Sequence, residues 1–431
     1  MKACIALLTS ILLVLPASAQ VLTAEEVVRI ALEQNFGIRL ARLDAESAAV
    51  LNSPGQAGML PTVDGVGSYS IDNSSAKQTF FSGEVREVDN ADARVLDAGV
   101  LLNWTVFDGM AMFATKDRLE TMEVIGRTQL RQQLESTIYD VLASYYRLVQ
   151  LRKGIAVERE GLRISRERLS IAEAGQRIGT ASGLIVVQAR LDLSTDSASV
   201  LDLQLQENVT RSRLNALLGR DPGTAVEVEG DVPDTESLDL AQLQQSARQA
   251  NSILQEARQY QIAADLNVKE LRGALLPRVD VFANYGYTRS TSAVGFLQSN
   301  QSLGPAYGAR LNIPIFNGFR NSQAVEVAKL QREQASLSTQ QVQLDLEEQL
   351  LNAWSMYRTG QQRVALEEAN LEGARTQADV ALESYRLGAI TAVELRDVQL
   401  GLIAASERLI VARYEAIMAQ LQLKWLAGEL G

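Results

Sequence analysis

The sequence predicts an internally duplicated α+β membrane protein. Each chain is expected to contribute four strands to a shared transmembrane β-barrel and very long antiparallel α-helices to a periplasmic tunnel. Two observations support this fold class. One is a long internal repeat, and the other is the order of elements within each copy, where alternating strands precede long proline-free stretches rich in helix-forming residues.

The repeat is visible without alignment. Residues 102–109 return as 311–318, an offset of 209 positions, and the same offset relates Leu217-Leu218-Gly219 to Leu426-Ala427-Gly428. Nearer the N-terminus, Asn35 corresponds to Asn251. Solenoid repeats are far shorter than this period. The sequence therefore predicts two copies of one supersecondary unit.

The N-terminus has the pattern of a secretory signal peptide. Lys2 precedes the apolar run 5–15, and Ala17-Ser18-Ala19 provides a cleavage site. An uncleaved N-terminal anchor is the alternative. The predicted domains are a signal peptide at 1–19, a first repeat at 20–219, a linker that forms a small belt outside the helices at 220–237, and a second repeat at 238–431.

Composition excludes several classes of function. The chain has no histidine, and its one cysteine, Cys4, lies in the predicted signal peptide, so neither a metal site nor a cofactor is expected. Gln20 at the predicted cleavage position also excludes a lipid anchor on cysteine. The formal net charge of −11 argues against nucleic acid as a partner. After the signal, no apolar run reaches the roughly 18 residues of a transmembrane helix, so a membrane span would have to be formed by strands.

Strands are predicted as one hairpin in each copy, at about 62–107 and about 278–316. Apolar and polar residues alternate there, and segments of about 10 residues suffice to cross a bilayer when tilted. Aromatic residues also concentrate in these segments; the alternative explanation is an ordinary β core. The polar stretches 72–92 and 290–304 are expected to be long external turns.

Long helices follow each hairpin. The first is predicted from Gly109 to about Ala174, which is roughly 100 Å of helix. Apolar residues recur there every seven positions, which predicts supercoiling, although arginines interrupt the second stripe. A coiled-coil rod is the alternative to the wall of a tube. The apolar series comprises Val141, Leu148, Ile155, Leu162 and Leu169 in copy one and Leu350, Tyr357, Val364 and Leu371 in copy two; the arginines are Arg152, Arg159 and Arg166.

Four strands in one chain leave two open sheet edges in lipid, so two or more chains must share a barrel. The whole order, with Leu-Pro before each hairpin, Phe-Asp-Gly or Phe-Asn-Gly after it and an Arg-x-Gly turn at each helical tip, resembles the TolC-type outer membrane efflux protein family. The resemblance implies a homotrimer surrounded by outer-membrane lipid in a Gram-negative bacterium. It further implies docking to a periplasmic adaptor (membrane fusion) protein and an inner-membrane transporter, as the exit duct of an efflux or type I secretion system.

The resemblance also identifies candidate gate residues. Glu394 and Asp397 follow the second tip at positions i and i+3 and match the family's acidic pair, which in a trimer would form a ring of carboxylates. Tyr385 matches a position that helps hold the periplasmic end closed, but its acidic partner in some members is Ile185 here. A solvated helix face is the alternative explanation for the acidic pair.

The helical tips are the surface that a coaxial adaptor would contact. Their glycines also have a simpler explanation, because glycine favours the left-handed conformation that ends a helix. A periplasmic coiled-coil scaffold without a pore is the alternative function, and no pattern of an enzyme is present. The candidate contact residues are Arg177, Gly179, Ser182, Arg386, Gly388 and Thr391.

Overall fold

The computed structural model describes residues 20–228, 230–294 and 297–430, so the predicted signal peptide lies outside the described residues. The helices are α1 (Ala24–Gln34), α2 (Phe36–Leu51), α3 (Ala111–Arg177), α4 (Gly183–Leu217), α5 (Leu240–Ala250), α6 (Ser252–Gly273), α7 (Arg320–Arg386) and α8 (Ala392–Leu426). The strands are β1 (Gln20–Leu22), β2 (Thr62–Thr79), β3 (Val85–Phe107), β4 (Val226–Val228), β5 (Arg278–Ser292) and β6 (Ser299–Asn312). The predicted α+β class, with strand hairpins and long antiparallel helices, is confirmed.

The chain forms two compact units, and each draws on both sequence copies. Among the described residues, one unit comprises 20–42, 130–253 and 343–430. The other comprises 43–129 and 254–342 and contains the four-stranded sheet. In the described part of the chain, no helix is both long enough and apolar enough to cross a membrane.

The sheet is antiparallel in the order β2-β3-β5-β6 and has one apolar face. Residues directly opposite one another share a face, and Val63 lies opposite Leu102, Leu102 opposite Ala283, and Ala283 opposite Tyr307. The other face is polar: Thr288 donates a hydrogen bond to Asp97, for example, at 2.7 Å. The exposed large side chains of the apolar face are Val63, Tyr69, Leu96, Val100, Trp104, Tyr285, Leu303, Tyr307 and Leu311.

The first hairpin is longer than the sequence predicted. Most of 72–92 is strand, and only the five residues between Thr79 and Val85 connect β2 to β3. Pairing there is supported by polar side chains rather than by an apolar face, as in the 2.7 Å hydrogen bond that Asn73 donates to Asp92. The predicted long external turn is therefore wrong, because a strand without apolar alternation gives no period-two signal.

The second hairpin differs from the prediction at both ends. Its connection is also shorter than predicted, because β5 extends to Ser292 and β6 begins at Ser299. The sequence placed Ile313 and Ile315 in the last strand, but β6 ends at Asn312. Pro314 explains this end, because proline has no N–H group with which to continue a ladder.

Four long helices dominate the unit without the sheet, although α3 and α7 begin in the other unit. α3 and α7 each have 67 residues, and α4 and α8 each have 35. Most of the seven-residue series is buried, with Val141 at 0% and Leu350 at 1% exposure, whereas Leu169 and Val364 are half-buried. Arg159 and Arg166 are exposed, and Arg152 donates to the Val228 carbonyl at 2.7 Å, so the second stripe is polar.

The order of packing follows from the closest contacts. A Cβ on Gly360 of α7 would lie 3.2 Å from Ala416 of α8, and Gln399 of α8 donates to the Gly161 carbonyl of α3 at 2.9 Å. Ala172 of α3 packs with α4 in a small apolar cluster. Neighbouring pairs are therefore α7–α8, α8–α3 and α3–α4, and near the tips Arg396 of α8 also contacts Asp196 of α4 at 2.6 Å.

The duplication is also visible as one contact that occurs at the end of both α4 and α8. Asn35 donates to the Leu217 carbonyl at 2.7 Å, and Asn251 donates to the Leu426 carbonyl at 3.0 Å. Gly219, in the left-handed region at φ +68°, follows the first of these helix ends, and a Cβ there would lie 2.5 Å from the Gln34 carbonyl oxygen. These contacts explain why the corresponding positions in the two copies match.

The segment between the copies is held against the helices. β4 pairs in parallel with β1, and Gln361 of α7 donates to Thr235 at 3.1 Å. Lys424 of α8 forms an ion pair with Glu236 at 2.8 Å. The segment is therefore an ordered part of the fold rather than a free spacer.

Candidate functional site at the helical tips

Both helical tips use the same backbone turn. At the first tip, Thr180 N–H donates to the Gly175 carbonyl at 2.8 Å, and at the second, Ala389 N–H donates to the Ser384 carbonyl at 2.8 Å. Gly179 and Gly388 have φ values of +81° and +73°, the left-handed conformation that this helix-ending motif needs. Turn chemistry alone is thus sufficient to explain both glycines.

The helices that leave the two tips begin differently. Thr391 and Glu394 form a capping box: Glu394 N–H donates to Thr391 Oγ1, and Thr391 N–H donates to Glu394 Oε2 at 2.7 Å. The backbone and side-chain hydrogen bonds from Thr391 hold the pKa of Glu394 below its usual value. Ser182, at the corresponding position, makes no capping hydrogen bond with its side chain.

The three candidate gate residues lie close in sequence but in different surroundings. Glu394 and Asp397 are exposed on the first turns of α8. Tyr385 is half-buried and, with Ile185, lines a cavity of about 450 Å³ between the two tips. The position that is acidic in some family members therefore presents an apolar side chain to this cavity.

The remaining predicted tip residues are exposed, as an adaptor surface requires. Arg177, Ser182 and Thr391 are all exposed. Arg386 lies 3.7 Å from Glu383 and 3.9 Å from Glu167, ion pairs that are weak because their side chains are largely solvated.

Behind the tips lies a buried cluster of charges that the sequence analysis missed. Arg396 of α8 donates two hydrogen bonds to Asp196 of α4, at 2.6 and 2.9 Å, and Ser165 of α3 donates a third. Burial alone would raise the pKa of Asp196, but the bonds from Arg396 and Ser165 hold it below its usual value. This ion pair joins the helical hairpins of the two sequence copies.

A second buried ion pair extends the cluster toward the cavity. Arg168 of α3 donates to Asp192 of α4 at 3.2 Å and to the Ala392 carbonyl at 3.4 Å. Its side chain is only 7% exposed, and Arg396 Nε lies 4.0 Å from the same aspartate. The two arginines thus share Asp192 and fix the start of α8 against α3 and α4.

A carboxyl pair lies at the other end of the cluster. Glu158 of α3 lies near Glu407 of α8, and both side chains are partly buried. Burial, followed by the negative charges of Glu407 and Asp196, raises the pKa of Glu158 to about 7, although Arg396 acts in the opposite direction.

A comparison of the two copies could have revealed this cluster. At the 209-residue offset, Ser165 corresponds to Ala374, Asp196 to Ala405, and Arg396 to Val187. Each polar residue corresponds to a small or apolar one; Ala374 and Ala405 pack in an apolar cluster, whereas Val187 is 55% exposed. The sequence of one copy considered alone does not reveal this difference, because a charged residue in a long helix usually faces solvent.

Comparisons with known proteins agree with this architecture. The model of the family described as "Outer membrane efflux protein" matches residues 27–220 and 243–429. The outer membrane efflux protein BepC of Brucella suis is 27% identical over 343 residues, which covers 77% of this chain and 72% of BepC. The alkaline protease secretion protein AprF of Pseudomonas aeruginosa is 22% identical, covering 93% of this chain and 83% of AprF.

A solved structure shows the same fold. The CmeC outer membrane channel of Campylobacter jejuni superposes with a TM-score of 0.83 at 17% identity, covering 94% of this chain and 85% of CmeC. The family consists of channels and not enzymes, so the expectation that the chain is not an enzyme is confirmed. The family model covers nearly all of both copies, and the chain belongs to the outer membrane efflux protein family.

Proposed function

We propose that the chain assembles as a homotrimer into a channel-tunnel, the passive exit duct of an efflux or type I secretion system. Twelve strands would close a barrel in the outer membrane of a Gram-negative bacterium, and twelve long helices would project into the periplasm. A periplasmic adaptor would dock at the helical tips, and an inner-membrane transporter would supply the energy. The duct itself needs no cofactor.

The exposed apolar face of the sheet is the main support for this proposal. Tyr307 is 81% exposed and Leu303 65%, and the apolar side chains continue across all four strands. A continuous apolar patch of this kind marks a membrane or protein contact. Lipid on that face and water on the polar face is the arrangement of a transmembrane barrel.

The open edges of the sheet require further chains. β2 pairs only with β3 and β6 only with β5 among the described strands, so each presents an unpaired row of backbone groups. Unpaired groups in hydrocarbon cost several kcal/mol each. Pairing β6 of one protomer with β2 of the next would satisfy both edges.

Exposed leucines on α4 and α7 support the same assembly. On α7, leucines at seven-residue spacing are between 48% and 66% exposed, and α4 has a similar series. An apolar series with this period is the seam of a coiled coil. The two series are Leu330, Leu337, Leu344 and Leu351 on α7 and Leu184, Leu191 and Leu205 on α4. Each would be buried by a helix of a neighbouring protomer, at different levels, because the α7 series lies farther from the tips than the 35-residue α4 extends.

Glu394 and Asp397 are proposed as the acidic ring of the gate, with Tyr385 in its closure. Their exposure fits side chains that face a water-filled lumen, and six carboxylates would favour cations. Glu394 also caps α8, so its position is fixed by a local contact independent of the gate. Since Ile185 faces the same cavity as Tyr385, packing would replace the polar lock of other members.

The tips are the proposed adaptor surface, and cargo is set by the other components. Arg177, Gly179 and Ser182 of the first tip and Arg386, Gly388 and Thr391 of the second form this surface. One relative is named for efflux and another for secretion of an alkaline protease. A conduit of one design can therefore serve different substrates.

Single-channel recording of purified protein in planar bilayers tests the proposal. We expect discrete, long-lived conductance steps, together with a trimer in detergent by light scattering. A monodisperse trimer that gives no conductance would instead indicate a periplasmic scaffold without a pore.

A further inference from the structure

We propose that the cavity between the two helical tips is a binding site for a small amphiphilic monoanion, a molecule with an apolar body and one terminal oxyanion such as a carboxylate. The site lies within one chain, because every residue that lines the cavity belongs to the same compact unit. Its effect on the gate rests on the proposed function, whereas binding itself does not.

The guanidinium of Arg168 is the polar end of this cavity. Its side chain is only 7% exposed, yet neither Nε nor Nη1 has a hydrogen-bond acceptor among the described residues. Nη2 alone is bonded, at 3.2 Å to Asp192 and at 3.4 Å to the Ala392 carbonyl. Charge-assisted hydrogen bonds of a guanidinium are usually about 2.7–2.9 Å long. Arg168 is therefore a buried cation with unused donors, and buried donors normally have partners.

The neighbouring carboxylates are held by other donors. Asp192 also accepts from Gln188 at 2.9 Å and lies 4.0 Å from Arg396. Asp196 accepts both of the hydrogen bonds that Arg396 donates to it, at 2.6 and 2.9 Å. An oxyanion from outside the chain is the acceptor that would complete the hydrogen bonding of Arg168.

The rest of the cavity suits an apolar body. Its volume of about 450 Å³ lies within the range of about 300–1,000 Å³ of sites for small organic molecules. Ile185, Tyr385 and Val393 line it together with the buried side chains of Ala172 and Ala189. Water alone fits this lining poorly, because a buried water needs roughly two to four polar partners. A ligand with an apolar body and an oxyanion would match both parts of the cavity.

An occupant of this cavity would contact both sequence copies. Arg168 on α3 and Ile185 on α4 belong to the first hairpin, and Tyr385 on α7 and Val393 on α8 belong to the second. Such a ligand binds joined tips better than separated ones, and a ligand shifts an equilibrium toward the state that it prefers. In the assembled channel, the bound anion would therefore stabilise the closed tips.

Fluorine NMR of para-fluorophenylbutanoate with the full-length protein in detergent tests the proposal. At neutral pH the acid is ionised, and we expect saturable broadening of its fluorine line beyond that of a protein-free micelle sample. The amide of the same acid has nearly the same shape but no charge. It should bind several-fold more weakly, because a hydrogen bond to a charged acceptor is roughly twice as strong as one between neutral groups.

Two variants test the two parts of the site. Arg168→Met keeps an unbranched side chain and removes the donors, so the affinity for the acid should fall about tenfold or more. Val393→Trp fills the cavity while Arg168 remains, and it should have the same effect even if Arg168→Met does not fold. Val187→Trp is the matched control, because Val187 is an exposed valine of α4 outside the cavity lining, and it should retain the affinity of the parent.

No saturable binding by the parent protein, or undiminished binding in Arg168→Met and Val393→Trp, would overturn the proposal. Equal affinities for the acid and the amide would overturn the assignment to an anion.

Conductance recorded on the same samples separates the site from the proposed function. The acid should lower the open fraction of the parent channel but not that of Val393→Trp, and an unchanged open fraction in the parent would refute the effect on the gate. Binding that depends on Arg168 in a protein without any pore would support the site and refute the channel. A pore in a protein without saturable binding would do the reverse.

Discussion

The two helical tips have the same backbone turn but differ in their side chains. Both end in the same left-handed glycine turn, yet the capping box of Thr391 and Glu394 has no counterpart at Ser182 and Ile185. The difference shows that the repeat preserves the contacts that shape the chain. The exposed acidic pair and the capping box occur in the second copy only.

The buried cluster extends this asymmetry to the interface between the copies. Asp196 comes from copy one and Arg396 from copy two, and their counterparts are Ala405 and Val187. Two identical hairpins would make identical contacts, so neither side of their interface would be harder to separate than the other. Arg396 of α8 instead pairs with both Asp196 and Asp192 of α4, and Val187 and Ala405 cannot form an equivalent pair.

The largest effect is expected from breaking that ion pair. Asp196→Ala leaves Arg396 buried without its bidentate partner, and removal of one member of a buried pair typically costs 3–5 kcal/mol. We expect the low end, because Asp192 remains 4.0 Å from Arg396. This cost can be measured by hydrogen exchange of the tip amides in the intact protein, because exchange rates report the free energy of local opening.

Arg190→Ala is the control for that variant. Its ion pair with Glu173 joins α4 to α3 within the first hairpin, and the two side chains are 69% and 42% exposed. An exposed pair contributes only about 0–1 kcal/mol. Equal losses in the two variants would mean that the buried cluster has no special role in holding the hairpins.

The second effect concerns charge at the proposed gate. Glu394→Gln combined with Asp397→Asn removes six carboxylates from a trimer, and we expect the cation-to-anion permeability ratio to fall several-fold. Glu173→Gln, an exposed carboxylate of the first tip, should leave the ratio nearly unchanged. Reversal potentials in a salt gradient measure it, and an unaltered ratio in the double variant would refute the acidic ring.

Sequence alone was sufficient for the architecture because the architecture is periodic. Alternation predicted the strands, the seven-residue series predicted the buried faces of α3 and α7, and Gly179 and Gly388 located the tips. Prediction from the sequence failed where no periodic pattern is present. The polar extension of the first hairpin, residues 72–92, pairs through its backbone and leaves no apolar signature.

The site was harder to predict because it depends on which helices are neighbours. Glu394 and Asp397 could be found from spacing on one helix. Arg396 lies between them in sequence, but its partner Asp196 is 200 positions away on another hairpin. Only the packing of α8 between α7 and α3 brings these two together.

The capping difference should appear as a smaller effect. Thr391→Ala removes a capping hydrogen bond and should destabilise the start of α8 by about 1 kcal/mol, whereas Ser182→Ala, which loses none, should change α4 little. Because the pKa of Glu394 is held below its usual value, its part of the cap is present above that usual value and is lost as the pH falls. Exchange rates of the first-turn amides measure both variants, and equal losses would contradict the assigned caps.

The smallest contrast is expected at the two glycines. Gly179→Ala and Gly388→Ala each force a side chain into the left-handed region, at about 1–2 kcal/mol, and a Cβ at either position meets nothing within 4 Å. Equal losses of local stability in the two variants would show that the backbone turns are equivalent. The asymmetry would then reside in the side chains beyond the turns. A larger loss at Gly388, measured by hydrogen exchange without adaptor present, would instead mean that the second tip contains strain that the first does not. In that case the two copies would differ in their backbones as well as in their charges.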